Sequence, residues 1–239
     1  MLIPSERHRS EDLSLWAEME AADYVHGERL ERSGKIARSL DAIVQFSAGG
    51  ACYAGWSGGK DSTVLAHLIW RAAVGVPLFH VNAHPVANPD VPRVRESLLP
   101  LISGTEYRTV QITYDCPLTN SADDSNRFFA AFRYAGNRYI SGIRADESGG
   151  RVIRMRRYGL MSKNTCAPLG WWTAADAFGY LAHHNLPVHP AYAMLGGGRW
   201  ERHQIRVDEL AGAGGDSLGR KEWEAEYYGD VLRRLDRGR

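Results

Sequence analysis

The sequence predicts an α/β protein in which helices cover both faces of a mostly parallel sheet. From residue 51 onward, short apolar segments alternate with segments of helical periodicity. Strands that alternate with helices are joined by right-handed crossovers and lie parallel in one sheet. A glycine-rich loop, SGGKDST at 57–63, stands between the first apolar segment and the helix that follows it. We therefore expect about five strands and a loop at a helix N-terminus.

The segment before this alternation predicts two helices, over 10–24 and 28–46. The second carries an approximate apolar face formed by Leu30, Ile36, Leu40, Ile43 and Val44. The sequence SAGG at 47–50 is a helix stop signal. Residues 1–50 are therefore expected to form a helical extension that precedes the α/β domain.

The later elements follow from the same two periodicities. Strands are predicted over 51–56, 77–83, 107–113 and 138–144, with a further short strand over 151–155. Helices are predicted over 61–73, 89–102, 125–135, 173–184 and 219–235. The helix over 61–73 has apolar residues at i, i+3, i+4 and i+7 starting from Leu65, which is typical of a helix packed on a sheet. Thr173 is the expected N-cap of its helix.

Composition limits the class of protein. The chain has 239 residues, of which 44% are hydrophobic and 24% charged, and it has no apolar run of the roughly 20 residues that a membrane-spanning helix needs. Its three cysteines form no CxxC pair, which argues against a structural zinc site, and their odd number without a secretion signal predicts a reducing, cytoplasmic setting. The predicted domains are the extension over 1–50, the α/β domain over 51–192 and a Gly/Arg-rich segment over 193–239.

Charge is unevenly distributed along the chain. Residues 133–163 hold eight Lys or Arg and two acidic residues, and four of the arginines lie within RVIRMRRYG at 151–159. This segment is either a solvated loop face or a surface that faces an anion, such as nucleotide phosphates or a nucleic-acid backbone.

The loop at 57–63 has the composition of a phosphate-binding loop. Its glycines allow a tight turn and a close approach of phosphate oxygens to the backbone amides at the start of the helix. Its hydroxyls are hydrogen-bond donors, and Lys60 supplies a positive charge. The loop is not a Walker loop, because Ala54 stands where that motif requires glycine and Asp61 follows the lysine where it requires Ser or Thr.

The loop instead resembles the PP-loop of the ATP pyrophosphatases, SGGxDS(T). Two later blocks, YISGIRADESGGR at 139–151 and APLGWWTAADAFGYLAHHNLPVHPAY at 167–192, resemble the phosphoadenosine-phosphosulfate (PAPS) reductase branch of that superfamily. The resemblance implies an adenine nucleotide alpha hydrolase-like, Rossmann-like fold, and ATP with Mg²⁺ as cofactors. It also implies that the loop grips the β,γ-pyrophosphate of ATP as the leaving group.

The resemblance also implies a set of site residues. Those expected to bind the nucleotide are Ser57, Gly58, Gly59, Lys60, Asp61, Ser62, Thr63, Gly142, Arg144 and Arg151. Lys60, Asp61 and Arg144 are the expected catalytic residues, and Asp61 either orients the lysine or holds Mg²⁺.

The chain departs from the reductases in three respects. It lacks the cysteine pairs that hold an iron–sulfur cluster in the APS-reducing branch, its loop keeps the lysine that reductases usually lack, and it lacks their terminal cysteine. Their nucleophilic cysteine lies in a C-terminal motif, whereas the last cysteine here is Cys166. The intact loop therefore favours ATP cleavage to AMP and pyrophosphate, with adenylation of an acceptor for sulfur insertion. DNA phosphorothioation is one such use in this superfamily. It would require a cysteine desulfurase or another sulfur donor as partner, with DNA as the acceptor, and a homodimer is compatible with it. A sulfonucleotide (PAPS or APS) reductase and a non-catalytic ATP-binding subunit are the alternatives.

The remaining candidate residues are the three cysteines, three histidines near residue 185 and two adjacent tryptophans. Cys116 follows a predicted strand and Cys166 lies near Lys163, which would favour a thiolate, so either is a sulfur relay or a plain free thiol. Cys52 is expected to be an inert core residue. The histidines at 183, 184 and 189 lack the spacing of zinc ligands and are expected to pack at helix ends. Trp171 and Trp172 either pack in the core or stack on a base.

Overall fold

The computed structural model describes residues 1–114, 130, 135–207, 209–210 and 219–237. Its helices are α1 (Ser10–Glu31), α2 (Lys35–Ala48), α3 (Lys60–Ala72), α4 (Val91–Leu98), α5 (Gly149–Tyr158), α6 (Ala174–His183) and α7 (Arg220–Arg237). Short 3₁₀ turns follow α4, precede α5 and connect α6 to α7. In the part of the chain described, no helix is long and apolar enough to cross a membrane.

The five described strands form one parallel sheet, as the alternation predicts. They are β1 (Tyr53–Gly55), β2 (Leu78–His84), β3 (Tyr107–Thr113), β4 (Tyr139–Ile140) and β5 (Thr165–Cys166). Their order is β3-β2-β1-β4-β5, and every neighbouring pair is parallel. The chain runs outward to β3 and then returns to place β4 on the other side of β1. Ligands of open α/β sheets bind in the crevice outside the carboxyl ends of the strands at such a reversal.

The boundary between the two N-terminal helices lies farther along the chain than the sequence predicts. Gly27 does not end the first helix, which continues to Glu31, and the turn before α2 is made by Gly34 with φ of 73°. Gly27 instead allows α1 to touch α6, because a Cβ there would overlap the carbonyl oxygen of Gly179. The glycine at 27 therefore serves close helix packing rather than a helix end.

The strand predicted over 151–155 is wrong. These residues belong to α5, which begins where the Ser148 side chain accepts a hydrogen bond from the amide of Arg151. Met155 is the buried residue of this helix, and most of the other side chains are exposed or half-buried. The apolar residues of 151–155 are Val152, Ile153 and Met155. Their spacing could not distinguish a short strand from a helix with one buried residue.

The remaining elements are close to their predicted positions. Thr173 caps α6 as expected, since its side chain accepts from the amide of Asp176 and the Asp176 carboxylate accepts from the amide of Thr173. Strand β5 was not predicted, and the predicted helix over 125–135 lies almost wholly outside the described residues.

One apolar core includes side chains from all three predicted segments, for example Trp16, Leu65 and Trp223. The terminal segments are joined by buried polar contacts. The Tyr227 hydroxyl donates to Asp12 Oδ2 at 2.6 Å, and the Leu195 amide donates to Asp12 Oδ1 at 3.1 Å. The division of the chain at 50/51 and 192/193 stays a prediction.

Candidate functional site

A cavity of about 1090 Å³ opens at the carboxyl ends of β1 and β4, where the strand order reverses. Eight predicted site residues line it: Ser57, Gly59, Lys60, Asp61, Ser62, Gly142, Arg144 and Arg151. The sheet therefore brings two sequence blocks, separated by some 80 residues of chain, to one crevice. Gly58 and Thr63, the other two predicted site residues, do not line the cavity.

The loop between β1 and α3 is shaped to present backbone amides. Gly58 has φ of 78°, a left-handed conformation that favours glycine, and a Cβ there would lie 3.2 Å from Val91. The Ser62 hydroxyl lies within the turn, where it accepts from the Ser57 amide at 3.2 Å and donates to the Gly59 carbonyl at 3.0 Å. This brace fixes the loop without using the amides that an anion would need.

Two of these amides are available at the start of α3. The first intrahelical hydrogen bond runs from the Thr63 amide to the Gly59 carbonyl at 3.0 Å, so the amides of Asp61 and Ser62 precede it. Such amides and the positive end of the helix dipole favour an anion. Thr63 itself is 1% exposed, and its hydroxyl has no hydrogen-bond partner among the described residues. Thr63 lies behind the loop rather than along the cavity.

Asp61 lies between two cations. Its Oδ2 is 3.2 Å from Lys60 Nζ, and its Oδ1 is 2.7 Å from Arg144 Nε in a contact whose angle is outside hydrogen-bond geometry. Burial raises the pKa of Asp61, and the two cations oppose that shift. The pKa of Lys60 is raised although burial lowers it, because the neighbouring Tyr192 and Asp61 favour the ammonium.

Gly142 lets the segment after β4 approach α3 closely. A Cβ at Gly142 would lie 3.1 Å from the backbone carbonyl carbon and oxygen of Asp61. This close approach places Arg144 against the start of α3. Arg144 is 2% exposed, and its Nη1 donates to Asp146 Oδ2 at 2.8 Å.

A second basic residue of the cavity is paired through Glu147. The Glu147 carboxylate accepts from the Arg144 amide at 2.9 Å and forms an ion pair with Arg151. Each of the three acidic residues along the cavity, Asp61, Asp146 and Glu147, therefore contacts at least one cation. A Mg²⁺ ion would have to compete with Lys60 and Arg144 for Asp61, whereas the amides, Lys60 and the arginines fit a polyphosphate directly.

The segment 203–207 forms another wall of the cavity. It is anchored at one end by Arg202, which makes two hydrogen bonds of 2.6 and 2.7 Å to Asp23 of α1. At the other end, the Leu210 amide donates to the Val86 carbonyl at 2.8 Å. Arg206 lies on this wall and forms no ion pair within the described ranges.

Sequence reasoning did not assign a role to this segment, nor to Asp146, Glu147 and Tyr192. The segment at 203–207 carries no motif and reaches the cavity only through its anchors on α1 and on the loop after β2. Tyr192 belongs to the HPAY sequence that resembles the reductase branch, which was the one available signal.

Of the two alternatives for Cys166, its surroundings favour the plain free thiol. Cys166 lies in β5, its side chain is fully buried, and burial raises the pKa of its thiol to about 12. Its sulfur is 3.8 Å from the Ala42 carbonyl, deep in the core and away from the cavity lining. Cys52 is half-buried, and burial raises its pKa as well. Cys116 lies outside the described residues, so its role as a sulfur relay stays a prediction.

The histidines pack at helix ends, as expected, but His183 and His184 also meet Glu31. Their ligand atoms lie within 4.8 Å of one another, and His184 Nε2 is 2.7 Å from Glu31 Oε1. The Arg71 guanidinium, 3.4 Å from His184 Nε2, already supplies a cation to this group. His189 is buried, accepts from the Ala191 amide, and has a pKa lowered to about 3 by burial.

The adjacent tryptophans differ from each other. Trp172 is buried and its indole donates to the Ser39 hydroxyl at 3.0 Å, whereas Trp171 is 47% exposed. Neither lines the cavity.

Comparisons with known proteins give one sequence match. No protein-family model matches the chain. The phosphoadenosine 5'-phosphosulfate reductase of Xanthomonas axonopodis pv. citri (strain 306) is 28% identical over 93 residues, which is 38% of this chain and 34% of the reductase. The chain thus spans about a third of the length of this curated relative. The match and the SGGKDST loop fit the PP-loop ATP pyrophosphatase superfamily.

Solved structures with similar folds share little sequence with this chain. NMN synthetase from Francisella tularensis has a TM-score of 0.44 and 16% identity, over 64% of this chain and 71% of its own. The U34-tRNA thiolase NcsA from Methanococcus maripaludis, solved with its [4Fe-4S] cluster, has a TM-score of 0.46 and 12% identity, over 85% and 78%. FMN adenylyltransferase from Candida glabrata, solved with ATP, has a TM-score of 0.41 and 17% identity, over 73% and 67%.

Proposed function

We propose that this protein is an ATP pyrophosphatase that transfers AMP to an acceptor and releases pyrophosphate. The observation that carries the proposal is the SGGKDST loop at the start of α3, whose amides share one cavity with Lys60 and Arg144. Amides at a helix start, a lysine and an arginine together suit a ligand with several phosphates better than one with a single charge.

The reaction follows from where the charge is placed. The β,γ-phosphates lie against the amides of Asp61 and Ser62, with Lys60 beside them. An acceptor oxygen forms a bond to the α-phosphorus, and the bond from that phosphorus to the α,β-bridging oxygen breaks. Pyrophosphate leaves with the electron pair, and the cations stabilise the charge that develops on it. Mg²⁺ on the phosphates would add further positive charge, and Asp61 holds Lys60 and Arg144 in position.

The acceptor in this proposal is a polyanion, and the DNA backbone is the acceptor that the resemblance suggests. The phosphorus of a phosphate that carries AMP can then be attacked by the persulfide sulfur of a cysteine desulfurase or another donor protein, and AMP leaves with the P–O bonding electrons. A thiol reductant then cleaves the S–S bond, which leaves the sulfur on the phosphate and the donor protein as a free thiol. Two observations support an anionic acceptor. Arg156 and Arg157 are exposed near the end of α5, the helix whose first turn carries the cavity-lining Arg151, and Arg206 lies on the cavity wall with no ion pair among the described residues.

A sulfonucleotide reductase is the second candidate, because the curated sequence match is to a PAPS reductase. Parallel incubations separate the candidates. Mg·ATP converted to AMP and pyrophosphate supports the proposal, whereas sulfite formed from PAPS with a dithiol reductant supports the reductase. ATP that binds and is recovered intact, in the presence of duplex DNA and a desulfurase with cysteine, indicates a non-catalytic subunit.

The polyanion acceptor is tested by a salt titration with duplex DNA. We expect log Kd to change with log salt by about 0.9 for each phosphate neutralised. Charge reversal of Arg156 and Arg157 to Glu should flatten this dependence while ATP binding is unchanged. Arg154 is left intact because it donates to the Thr165 hydroxyl at 2.7 Å. The matched control reverses Arg32 and Arg38, which are exposed on the N-terminal helical region. No DNA binding at low salt, with or without ATP, would point to a small-molecule acceptor.

A further inference from the structure

Tyr192 contacts the loop lysine in two ways that sequence reasoning did not foresee. It lies in the 3₁₀ turn Pro190–Ala193, which follows α6, and it is 2% exposed. The turn is held by His189, whose Nδ1 accepts from the Ala191 amide at 3.1 Å. The tyrosine is therefore a fixed part of the fold that reaches the start of α3 from a distant part of the chain.

The first contact is with the backbone. The Lys60 amide donates to the Tyr192 hydroxyl at 3.0 Å, and a Cβ on Gly59 would lie 3.3 Å from the same oxygen. Lys60 is the first residue of α3, so its amide is one that has no partner within the helix. Tyr192 satisfies this amide and leaves those of Asp61 and Ser62 for an anion. The hydroxyl thereby sets which amides the ligand meets.

The second contact is with the ammonium group. Lys60 Nζ lies 5.3 Å from the centre of the Tyr192 ring and 5.9 Å from that of Phe178. The two rings meet edge to face, with centroids 5.3 Å apart and planes at 87°. An aromatic face attracts a cation without adding a formal negative charge. Of the described carboxylates, Asp61 is the one that pairs with Lys60, so the rings hold the ammonium while leaving much of its charge uncompensated.

We propose that Tyr192 is a positioning residue: its hydroxyl fixes the first amide of α3, and its ring holds the Lys60 ammonium where a phosphate group reaches it. This inference rests on the proposed function in that the phosphate belongs to ATP. It does not require that ATP be cleaved.

Two substitutions separate the two contacts. Tyr192→Phe removes the hydroxyl and keeps the ring, and we expect ATP and pyrophosphate to bind roughly 2- to 12-fold more weakly. Tyr192→Leu also removes the aromatic face and should weaken binding by a further factor of roughly 2 to 30. Tyr180→Phe is the matched control, because that tyrosine is equally buried and its hydroxyl contacts His67 and Arg71 instead. The control should bind both probes as the wild type does.

A double-mutant cycle shows whether the ring acts through the lysine. In a Lys60→Ala background, Tyr192→Phe and Tyr192→Leu should bind pyrophosphate with equal affinity, because the cation that distinguishes a ring from an aliphatic side chain is gone. Both probes are titrated calorimetrically, and thermal unfolding of each variant confirms that the protein is folded. A Phe-to-Leu difference that persists without Lys60, or wild-type affinity in both single variants, would overturn the proposal.

The same titrations keep this inference apart from the proposed function. If the variants show the expected double-mutant cycle and the wild-type protein binds ATP but forms no AMP, the proposed reaction is contradicted and the role of Tyr192 stays intact. Wild-type protein that binds neither ATP nor pyrophosphate would contradict both.

Discussion

Replacing Arg144 by Gln should weaken both the fold and the binding of ATP. The side chain is 2% exposed, with Nε 2.7 Å from Asp61 Oδ1 and Nη1 2.8 Å from Asp146 Oδ2. Removing one partner of a buried ion pair costs about 3–5 kcal/mol, and we take about 3 because the Asp146 side chain is 36% exposed to water. For a chain of this length, that loss lowers Tm by roughly 6–12 °C.

The matched variants divide the effect into its parts. Asp61→Asn in the Arg144→Gln background removes the carboxylate left without its cation, so we expect at least about half of the lost stability to return. ATP affinity should not return, because a charge-assisted contact worth about 1.5–3 kcal/mol is still missing, which is roughly 10- to 150-fold in Kd. Arg38→Gln, at an exposed position on α2, is the control.

Differential scanning calorimetry and titration calorimetry with Mg·ATP measure the two quantities. If Arg144→Gln lowers Tm and leaves the Kd for ATP within about twofold of the wild type, Arg144 is structural and the site assignment is wrong. If neither quantity changes, the ion pairs around Asp61 do not stabilise the protein, and the reasoning fails at its first step.

Three further predictions concern the fold. The pKa of the Cys166 thiol is raised to about 12, so in native Cys116→Ser protein this thiol should resist a thiol reagent at pH 8. It should react once the protein is unfolded in guanidinium. Rapid labelling of Cys166 in the native protein would contradict its burial. Burial lowers the pKa of His67 to about 4, below the ordinary 6.5, so its stabilising effect is complete above pH 6.5 and is lost as the pH falls toward 4. We expect His67 to account for about 2 kcal/mol of the stability lost between pH 7 and 5, so His67→Gln should reduce that loss by about this amount, and urea unfolding at the two pH values measures it. Gly27→Ala should destabilise by about 1–3 kcal/mol, because its methyl group would overlap the Gly179 carbonyl, whereas Gly149→Ala, which has open space around its Cβ, should be nearly neutral in the same assay.

The parallel sheet and the position of the loop could be predicted because their signals are local. Strands β1 and β2 are short apolar runs, β3 carries β-branched residues, and the SGGKDST loop stands where a strand meets a helix. The segments whose structure was not predicted correctly carry little local signal. Strand β5 has two residues, and α5 buries one side chain, Met155, so neither produces a periodic pattern.

The same distinction applies to the candidate site: residues in local motifs could be predicted, and residues that reach the cavity through distant contacts could not. Arg144 reaches Asp61 because the strand order places β4 beside β1. The sequence predicted a mostly parallel sheet, but the order of its strands comes from the structure. Tyr192 and the 203–207 segment reach the cavity through contacts between distant parts of the chain, such as Arg202 with Asp23. Such contacts depend on how α1 packs on α6. That packing rests on the close approach of Gly27 and Gly179, which helical periodicity does not reveal.

The measurement that tests the central claim most directly is the fate of the α-phosphate of ATP. Protein is incubated with Mg²⁺ and ATP labelled at the α-phosphorus, with and without duplex DNA and a desulfurase with cysteine, and the products are separated by chromatography. The account predicts labelled AMP or an AMP-bearing acceptor, with one pyrophosphate for each ATP consumed. The product should be lost in Lys60→Ala protein and kept in Lys163→Ala protein, whose lysine is exposed outside the cavity lining. Labelled ADP with release of inorganic phosphate would contradict the account.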